Sequence, residues 1–154
     1  MSSIERTDLV RKVMARILED ASFVFTDDLP SAAQEQVSPE NIMGVSLAFH
    51  GERTGEFRLW ANPPFAALLA ANMTGIDADS PLMREKGADA MKEMMNIIAG
   101  NALTELFGTT AVFDLGIPHE ADRALFEADR TSGSGVWLMA EEHPVLLVTD
   151  INNS

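Results

Sequence analysis

The segment from Gly87 to Phe107 constrains the fold most, because it has the pattern of one long helix with two contrasting faces. At about 100° per residue, Asp89, Glu93, Asn96 and Gly100 share one narrow stripe. The opposite face is broad and apolar, and it consists of Met91, Met94, Met95, Ile98, Ala102 and Leu106. An apolar face of this width is normally buried, so we expect the helix to cover another layer of structure.

The polar stripe of this helix carries an acid, an amide and a glycine, and a face that is merely exposed to solvent does not require this combination. Glu93 and Asn96 stand three residues apart and therefore project side by side. Gly100 follows one turn later and leaves a bare patch that another backbone can approach, although glycine inside a helix costs about 1 kcal/mol relative to alanine. We interpret the stripe as a rigid surface that presents Glu93 and Asn96 to a partner. Leu103 and Phe107 continue the stripe, and they either form a docking pad or pack under a loop.

The length and composition favour one globular domain. The chain has 154 residues, of which 46% are hydrophobic and 23% are charged, so we expect a single domain over residues 1–154. The longest apolar run, Pro63 to Met73, is too short to cross a bilayer. The start of the chain lacks a basic region followed by a hydrophobic one, so we expect no secretory signal. The sequence has no cysteine, which excludes disulfides and thiol catalysis, and these features together favour the cytoplasm.

The charge of the chain argues against two classes of partner. The formal net charge is -13, and no local cluster of lysine and arginine offsets it. Such a chain repels phosphate backbones and anionic membrane surfaces, so we expect it to bind neither nucleic acid nor membrane. His50, His119 and His143 lie in three separate segments without the spacing of metal ligands, so we also expect no metal site.

The order of predicted elements favours an α+β fold, because the strands occur in runs and do not alternate strictly with helices. The predicted helices cover residues 4–25, 63–73 and 87–107, and the predicted strands cover 42–50, 55–60, 111–117, 136–140 and 145–149. Residues 31–40 and 119–134 are polar and are predicted as loops. We therefore expect long helices packed on one face of a mixed, mostly antiparallel sheet.

The long helix also contains a recognisable motif. Asp89, Glu93 and Asn96 form the string D-x-x-x-E-x-x-N, the residues I-I-A-G-N-A follow, and Pro118 lies downstream after a predicted strand. This pattern resembles the signature of the CheC/CheX/FliY family of chemotaxis phosphatases. The likeness is greatest to the CheX type, which carries one such motif, and the order of elements agrees over nearly the whole chain.

The resemblance implies a function. Members of that family remove the phosphoryl group from the aspartate of a CheY-type response-regulator receiver domain. Glu93 and Asn96 would then be the catalytic pair, with Asn96 aligning the attacking water and Glu93 pairing with a lysine of the receiver. The Mg²⁺ in such a reaction belongs to the receiver, so this chain would need no cofactor of its own. Asp89 and Gly100 would lie on the partner-binding surface, and Asp89 would either support Glu93 or, as we prefer, complement the helix dipole.

The resemblance also bears on stoichiometry and on the alternatives. Some CheC-type relatives carry a second motif on the first helix, but here Glu19 is followed three residues later by Ser22, so we expect one active site per chain. The family further suggests a homodimer formed through a sheet edge. The alternative function is a non-catalytic signalling module that docks a receiver or a flagellar-switch protein. Retention of both Glu93 and Asn96 favours the enzyme.

Overall fold

The computed structural model describes residues 1–152 and places seven strands in one sheet. The strands are β1 (Thr26–Asp28), β2 (Met43–Gly51), β3 (Thr54–Ala61), β4 (Phe113–Leu115), β5 (His119–Glu120), β6 (Gly135–Ala140) and β7 (His143–Asn152). Their order is β1-β6-β7-β3-β2-β4, and β5 pairs with β2 as well. Every strand pair in the described residues is antiparallel.

Five helices accompany the sheet, and three of them pack on one of its faces. They are α1 (Ser3–Ser22), α2 (Ser31–Gln34), α3 (Pro63–Thr74), α4 (Pro81–Phe107) and α5 (Phe126–Arg130), with 3-10 turns at Pro39–Asn41 and Arg123–Leu125. The main core joins α1, α3 and α4 to inward side chains of β2, β3, β6 and β7. The predicted α+β fold, with long helices on one face of an antiparallel sheet, is confirmed. No helix within residues 1–152 combines the length and the apolar character that crossing a membrane requires.

The opposite face of the sheet carries a smaller core. Side chains alternate across a strand, so Leu59 and Leu147 face the long helices while Trp60 and Leu146 face the other way. This second cluster contains Leu29, Ile42, Trp60, Phe126, Trp137, Leu146 and Val148. It is covered by α5 and by the segment before β2, so both faces of the central strands are buried.

The first helix ends three residues earlier than predicted. Phe23 adopts the left-handed conformation, with φ 57°, and its N–H donates to the Glu19 carbonyl 2.9 Å away. This geometry ends a helix and turns the chain, which then enters β1. The prediction of a helix as far as residue 25 was therefore wrong at its end, and strand β1 was missed.

The long helix begins at Pro81, whereas the sequence pattern predicted a start at Gly87. The Ser80 hydroxyl caps it by accepting from the Leu82 N–H at 3.3 Å, and proline suits the first helical turn. Gly87 lies inside the helix, where a Cβ would come within 2.9 Å of the Ala66 Cβ on α3. Its role is close helix packing, and α4 ends before Gly108 as predicted.

The prediction of a loop over residues 119–134 was wrong, because this segment forms β5 and α5. Asp129 on α5 is buried and accepts hydrogen bonds from Arg58 Nε at 2.7 Å and Nη2 at 2.8 Å, and from Trp60 Nε1 at 2.8 Å. The hydrogen bonds that Arg58 donates to the Asp129 carboxylate raise the pKa of Arg58 above its ordinary value. This buried ion pair fastens α5 to the sheet. The other predicted loop, residues 31–40, contains α2 and part of a 3-10 turn.

Candidate functional site

The polar stripe of α4 faces outward, as the sequence predicted. Asp89, Glu93 and Asn96 are exposed, and Gly100 is half-buried. The opposite side of the helix is buried in the main core through Met91, Met94, Met95, Ile98 and Ala102. With a rise of about 1.5 Å per residue, the stripe from Asp89 to Gly100 is about 16 Å long. A helix anchored along one whole face presents these groups rigidly.

The carboxylate of Glu93 and the carboxamide of Asn96 are uncommitted. Within residues 1–152 neither side chain forms a hydrogen bond or an ion pair. Residues three apart on a helix have Cβ atoms about 5–6 Å apart, so both groups can reach one small ligand. Asn101 differs, because it is half-buried and its amide donates to the Ile97 carbonyl at 2.8 Å. The structure thus separates an asparagine that is free to act from one that is used internally.

Asp89 is not placed to complement the helix dipole. The dipole acts within the first turn of a helix, and α4 begins at Pro81, so Asp89 stands in the third turn. Our preference for a dipole role was therefore wrong. Asp89 and Glu93 instead line a cleft of ≈ 150 Å³ between α3 and α4, together with Ala70, Met73, Thr74, Lys86 and Ala90.

Gly100 leaves open space on the surface of α4. A Cβ at this position would meet only the Leu115 Cδ1 atom of β4, at 4.0 Å, which is an ordinary van der Waals contact. The fold itself therefore does not require a glycine here. Sequence reasoning did not bring Leu115 to this place, because the neighbour comes from a strand that pairs with β2 and not from the helix.

Leu103 and Phe107 belong to the packing of α4. Leu103 is buried in the main core. The half-buried ring of Phe107 lies 5.4 Å from that of Phe113 and 5.6 Å from the Arg53 guanidinium carbon. Of the two roles left open by the sequence, packing is the one that the structure shows.

The first helix does not repeat the arrangement of α4. Glu19 is exposed, but Ser22 is buried and its hydroxyl donates to the Leu18 carbonyl at 2.7 Å. A buried hydroxyl that is bonded to its own helix cannot orient a ligand at the surface. This geometry supports the expectation of one site per chain.

The surroundings of the stripe are open. In the part of the chain that the structure describes, no group of three His, Asp or Glu side chains is arranged to hold a metal ion. A larger cleft, of ≈ 680 Å³, lies away from α4 and is lined by residues such as Arg11, Asp28, Arg130 and Trp137. Its charged groups are paired, since Arg11 contacts Asp28 and Arg130 contacts Glu127. The free acid and amide therefore lie on an open helix face outside the larger cleft.

The fold and the site together define a class of protein. It is an α+β protein whose candidate catalytic side chains, an acid and an amide, lie on an exposed helix where a folded macromolecule can reach them. The chain belongs to the chemotaxis phosphatase CheX family, whose family model matches residues 43–139. The matched region includes the whole of α4 and hence the polar stripe. The predicted membership of the CheX-like family is confirmed, and with it the prediction of a phosphatase at the level of the family.

Solved structures share this fold. CheX from Vibrio vulnificus is 13% identical, with 99% of each chain covered and a TM-score of 0.69. CheX from Desulfovibrio desulfuricans is 14% identical, with 96% of this chain and 99% of that chain covered and a TM-score of 0.68. A chain of the CheX–CheY–BeF3–Mg complex from Borrelia burgdorferi is 19% identical, with 99% of each chain covered and a TM-score of 0.68. A comparison with curated protein sequences finds no match.

Proposed function

We propose that this chain hydrolyses the aspartyl phosphate of a CheY-type receiver domain, using Glu93 and Asn96 of α4. The observation that carries the proposal is the exposed, uncommitted acid–amide pair on a rigid helix of a CheX-family chain. The structure of a CheX from Borrelia burgdorferi in complex with CheY, beryllofluoride and Mg²⁺ supports the choice of partner. The open surface around the stripe suits a partner of that size.

The chemistry of an acyl phosphate fits these two side chains. Such a phosphate is a reactive group, so its hydrolysis needs an aligned water more than it needs a strong base. The Asn96 carboxamide can accept a hydrogen bond from a water and also donate one to it, which holds the water in line with the phosphorus. Glu93 pairs with the lysine of the receiver through a charge-assisted hydrogen bond and sets the register of docking. The divalent metal is held by the receiver, so this chain contributes no metal ligand.

Replacement of Asn96 tests the catalytic step. We expect Asn96→Ala to abolish stimulated phosphate release and to leave the free energy of unfolding nearly unchanged, because the side chain is exposed and makes no internal bond. Asn101→Ala is the matched control on the same helix, since the Asn101 amide is bonded to Ile97. It should keep its rate of phosphate release. Unchanged release from Asn96→Ala, measured with a phosphorylated receiver, would defeat the assignment.

Replacement of Glu93 tests the docking role. We expect Glu93→Ala to raise the Kd for the phosphorylated receiver by roughly 10- to 100-fold and also to lower kcat, because charge-assisted pairs of this kind are worth roughly 1.5–3 kcal/mol. Glu105→Ala removes the same charge from α4 at a position that pairs with Arg16 at 3.8 Å, so it controls for long-range electrostatics. Titration of both variants separates the two effects. Equal affinities would rule out a docking role for Glu93.

The proposal includes three further points. Asp89 and Gly100 lie at the two ends of the stripe and contact the receiver. A cytoplasmic location suits a chain whose sequence contains no cysteine and whose partner is a receiver domain. The chain also forms a homodimer through a sheet edge, although β1, β4 and β5 have only three, three and two residues, so side chains must contribute to that interface.

A further inference from the structure

A short apolar edge borders the polar stripe at its Gly100 end. We define this 115–117 edge by Leu115 and Ile117, which are 37% and 88% exposed. The Leu115 Cδ1 atom lies 4.0 Å from the point where a Cβ of Gly100 would stand. Leu115 therefore lies at the border of the surface proposed for catalysis, and the more exposed Ile117 follows two residues along the chain, in a protein with a net charge of -13.

The backbone of this edge is fixed on both sides. Leu115 is paired with Phe49 of β2, and the Gly116 N–H donates to the Ala48 carbonyl at 2.7 Å. After Ile117 the chain pairs with β2 again, at His119. The edge is thus anchored before and after its most exposed residue. Binding of a partner to this edge therefore costs little conformational entropy, because the backbone is already ordered.

The core does not account for the exposure of the edge. Phe113 reaches the helix layer, where its ring lies 5.9 Å from that of Phe49. Leu115 is two residues further along β4 and shares this side of the sheet, but it lies only partly under cover. Ile117 takes no part in either hydrophobic cluster. Exposed apolar groups of this size beside a functional surface are typical of a protein–protein contact.

We infer that the 115–117 edge is part of the surface that docks the receiver domain, where it contacts apolar side chains of the receiver. The inference rests on the proposed function. A standard interface buries about 800 Å² on each partner, which corresponds to a disc of about 16 Å radius. Gly100 lies four residues from Asn96, about 6 Å along the helix axis. A folded partner centred on Asn96 therefore covers Leu115.

The surface has two chemically different parts, and this identifies the matching face of the partner. Asp89 and Glu93 supply carboxylates at one end of the stripe, and the 115–117 edge supplies apolar groups at the other. The matching receiver face carries a cation next to its phosphorylated aspartate and an apolar patch on the side that meets Gly100. The charged end sets the register, and the apolar end contributes affinity.

Ile117→Ser tests the inference, because a side chain that is 88% exposed can be changed without disturbing the core. Ile4→Ser is the matched control, since Ile4 is 80% exposed in the first turn of α1 and lines a cleft with Gly133. Each variant is titrated with CheY-type receiver domains of the same organism, activated by beryllofluoride and Mg²⁺, and is then assayed for phosphate release. We expect Ile117→Ser to weaken binding of the receiver about fivefold and to keep the wild-type kcat at saturating receiver. Ile4→Ser should keep the wild-type affinity and the wild-type kcat. Leu115→Ala should also weaken binding of the receiver.

The outcomes separate the inference from the proposed function. If Ile117→Ser and Leu115→Ala bind as tightly as Ile4→Ser, the inference is overturned, while catalysis stands on the Asn96 result. If Ile117→Ser binds weakly but the wild type releases no phosphate, the docking surface stands and hydrolysis does not. If Ile117→Ser changes the mass of the free protein and not its affinity, the edge joins two copies of this chain and the inference is wrong. If the wild type binds none of the activated receivers, both fail.

Discussion

At the level of a single residue, the requirements of the fold and of the proposed function differ at Gly100. A helix interior favours alanine over glycine, and the open space above Gly100 would accept a methyl group, with Leu115 at 4.0 Å. Alanine at this position would therefore make the folded protein more stable. The glycine is explained if a partner approaches the helix closely at this point. Gly87 on the same helix has the opposite surroundings, because α3 fills the space above it.

Gly100→Ala should stabilise the protein and weaken its function. We expect the free energy of unfolding to rise by up to about 1 kcal/mol, and the KM for the phosphorylated receiver to rise because the methyl group occupies the docking surface. Urea unfolding and phosphate-release assays measure the two quantities. Gly87→Ala is the control and should lower stability, since its Cβ would come within 2.9 Å of the Ala66 Cβ. A Gly100→Ala variant with wild-type KM would remove this residue from the docking surface.

At the level of elements, the two faces of the sheet carry different helices. The face under α1, α3 and α4 supports the rigid helix that carries Glu93 and Asn96. The other face is covered by α5, a helix of five residues that is too short to be stable alone. Its attachment depends on Asp129, which is paired with Arg58 and Trp60. The main core and the candidate site therefore lie on one side of the sheet, and the buried Asp129 network lies on the other.

Asp129→Ala should destabilise the fold without changing the chemistry. The change leaves the Trp60 N–H without its partner and leaves Glu56, 3.5 Å away, as the remaining ion-pair partner of Arg58. Breaking a buried pair costs about 3–5 kcal/mol, so with Glu56 retained we expect a loss of about 3 kcal/mol. Glu127→Ala is the control, because its pair with Arg130 is at the surface and is worth about 0–1 kcal/mol. Urea unfolding gives the stabilities, and kcat is measured where both variants are folded. A loss below 1 kcal/mol for Asp129→Ala would show that α5 is held by its apolar contacts alone.

At the level of the whole molecule, the difference between α1 and α4 sets how many receivers one chain would engage under the proposed function. Only α4 presents an uncommitted acid–amide pair among the helices that the structure describes, because Ser22 of α1 is buried. The sheet ends on each side in strands of two or three residues. Short edge strands limit pairing between chains, so an edge-to-edge dimer depends on few main-chain hydrogen bonds.

The assembly can be measured directly. We expect light scattering to give about twice the 16.7 kDa mass of one chain, and titration with beryllofluoride-activated receiver to give one receiver per chain. The Ile117→Ser variant should keep the wild-type mass. A single-chain mass at all concentrations would contradict the dimer, and two receivers per chain would reveal a site that α1 or another element supplies.

The amino-acid sequence by itself determined the features that rest on local periodicity. The outward stripe of Asp89, Glu93 and Asn96 and the strands β2 and β3 were predictable, because a helix repeats every 3.6 residues and a strand every two. Only the tertiary structure decided where distant segments meet. Asp129 pairs with Arg58 across 71 positions, and Leu115 reaches Gly100 from a strand that follows the helix. Such contacts depend on how strands pair and helices pack, and no local pattern encodes them.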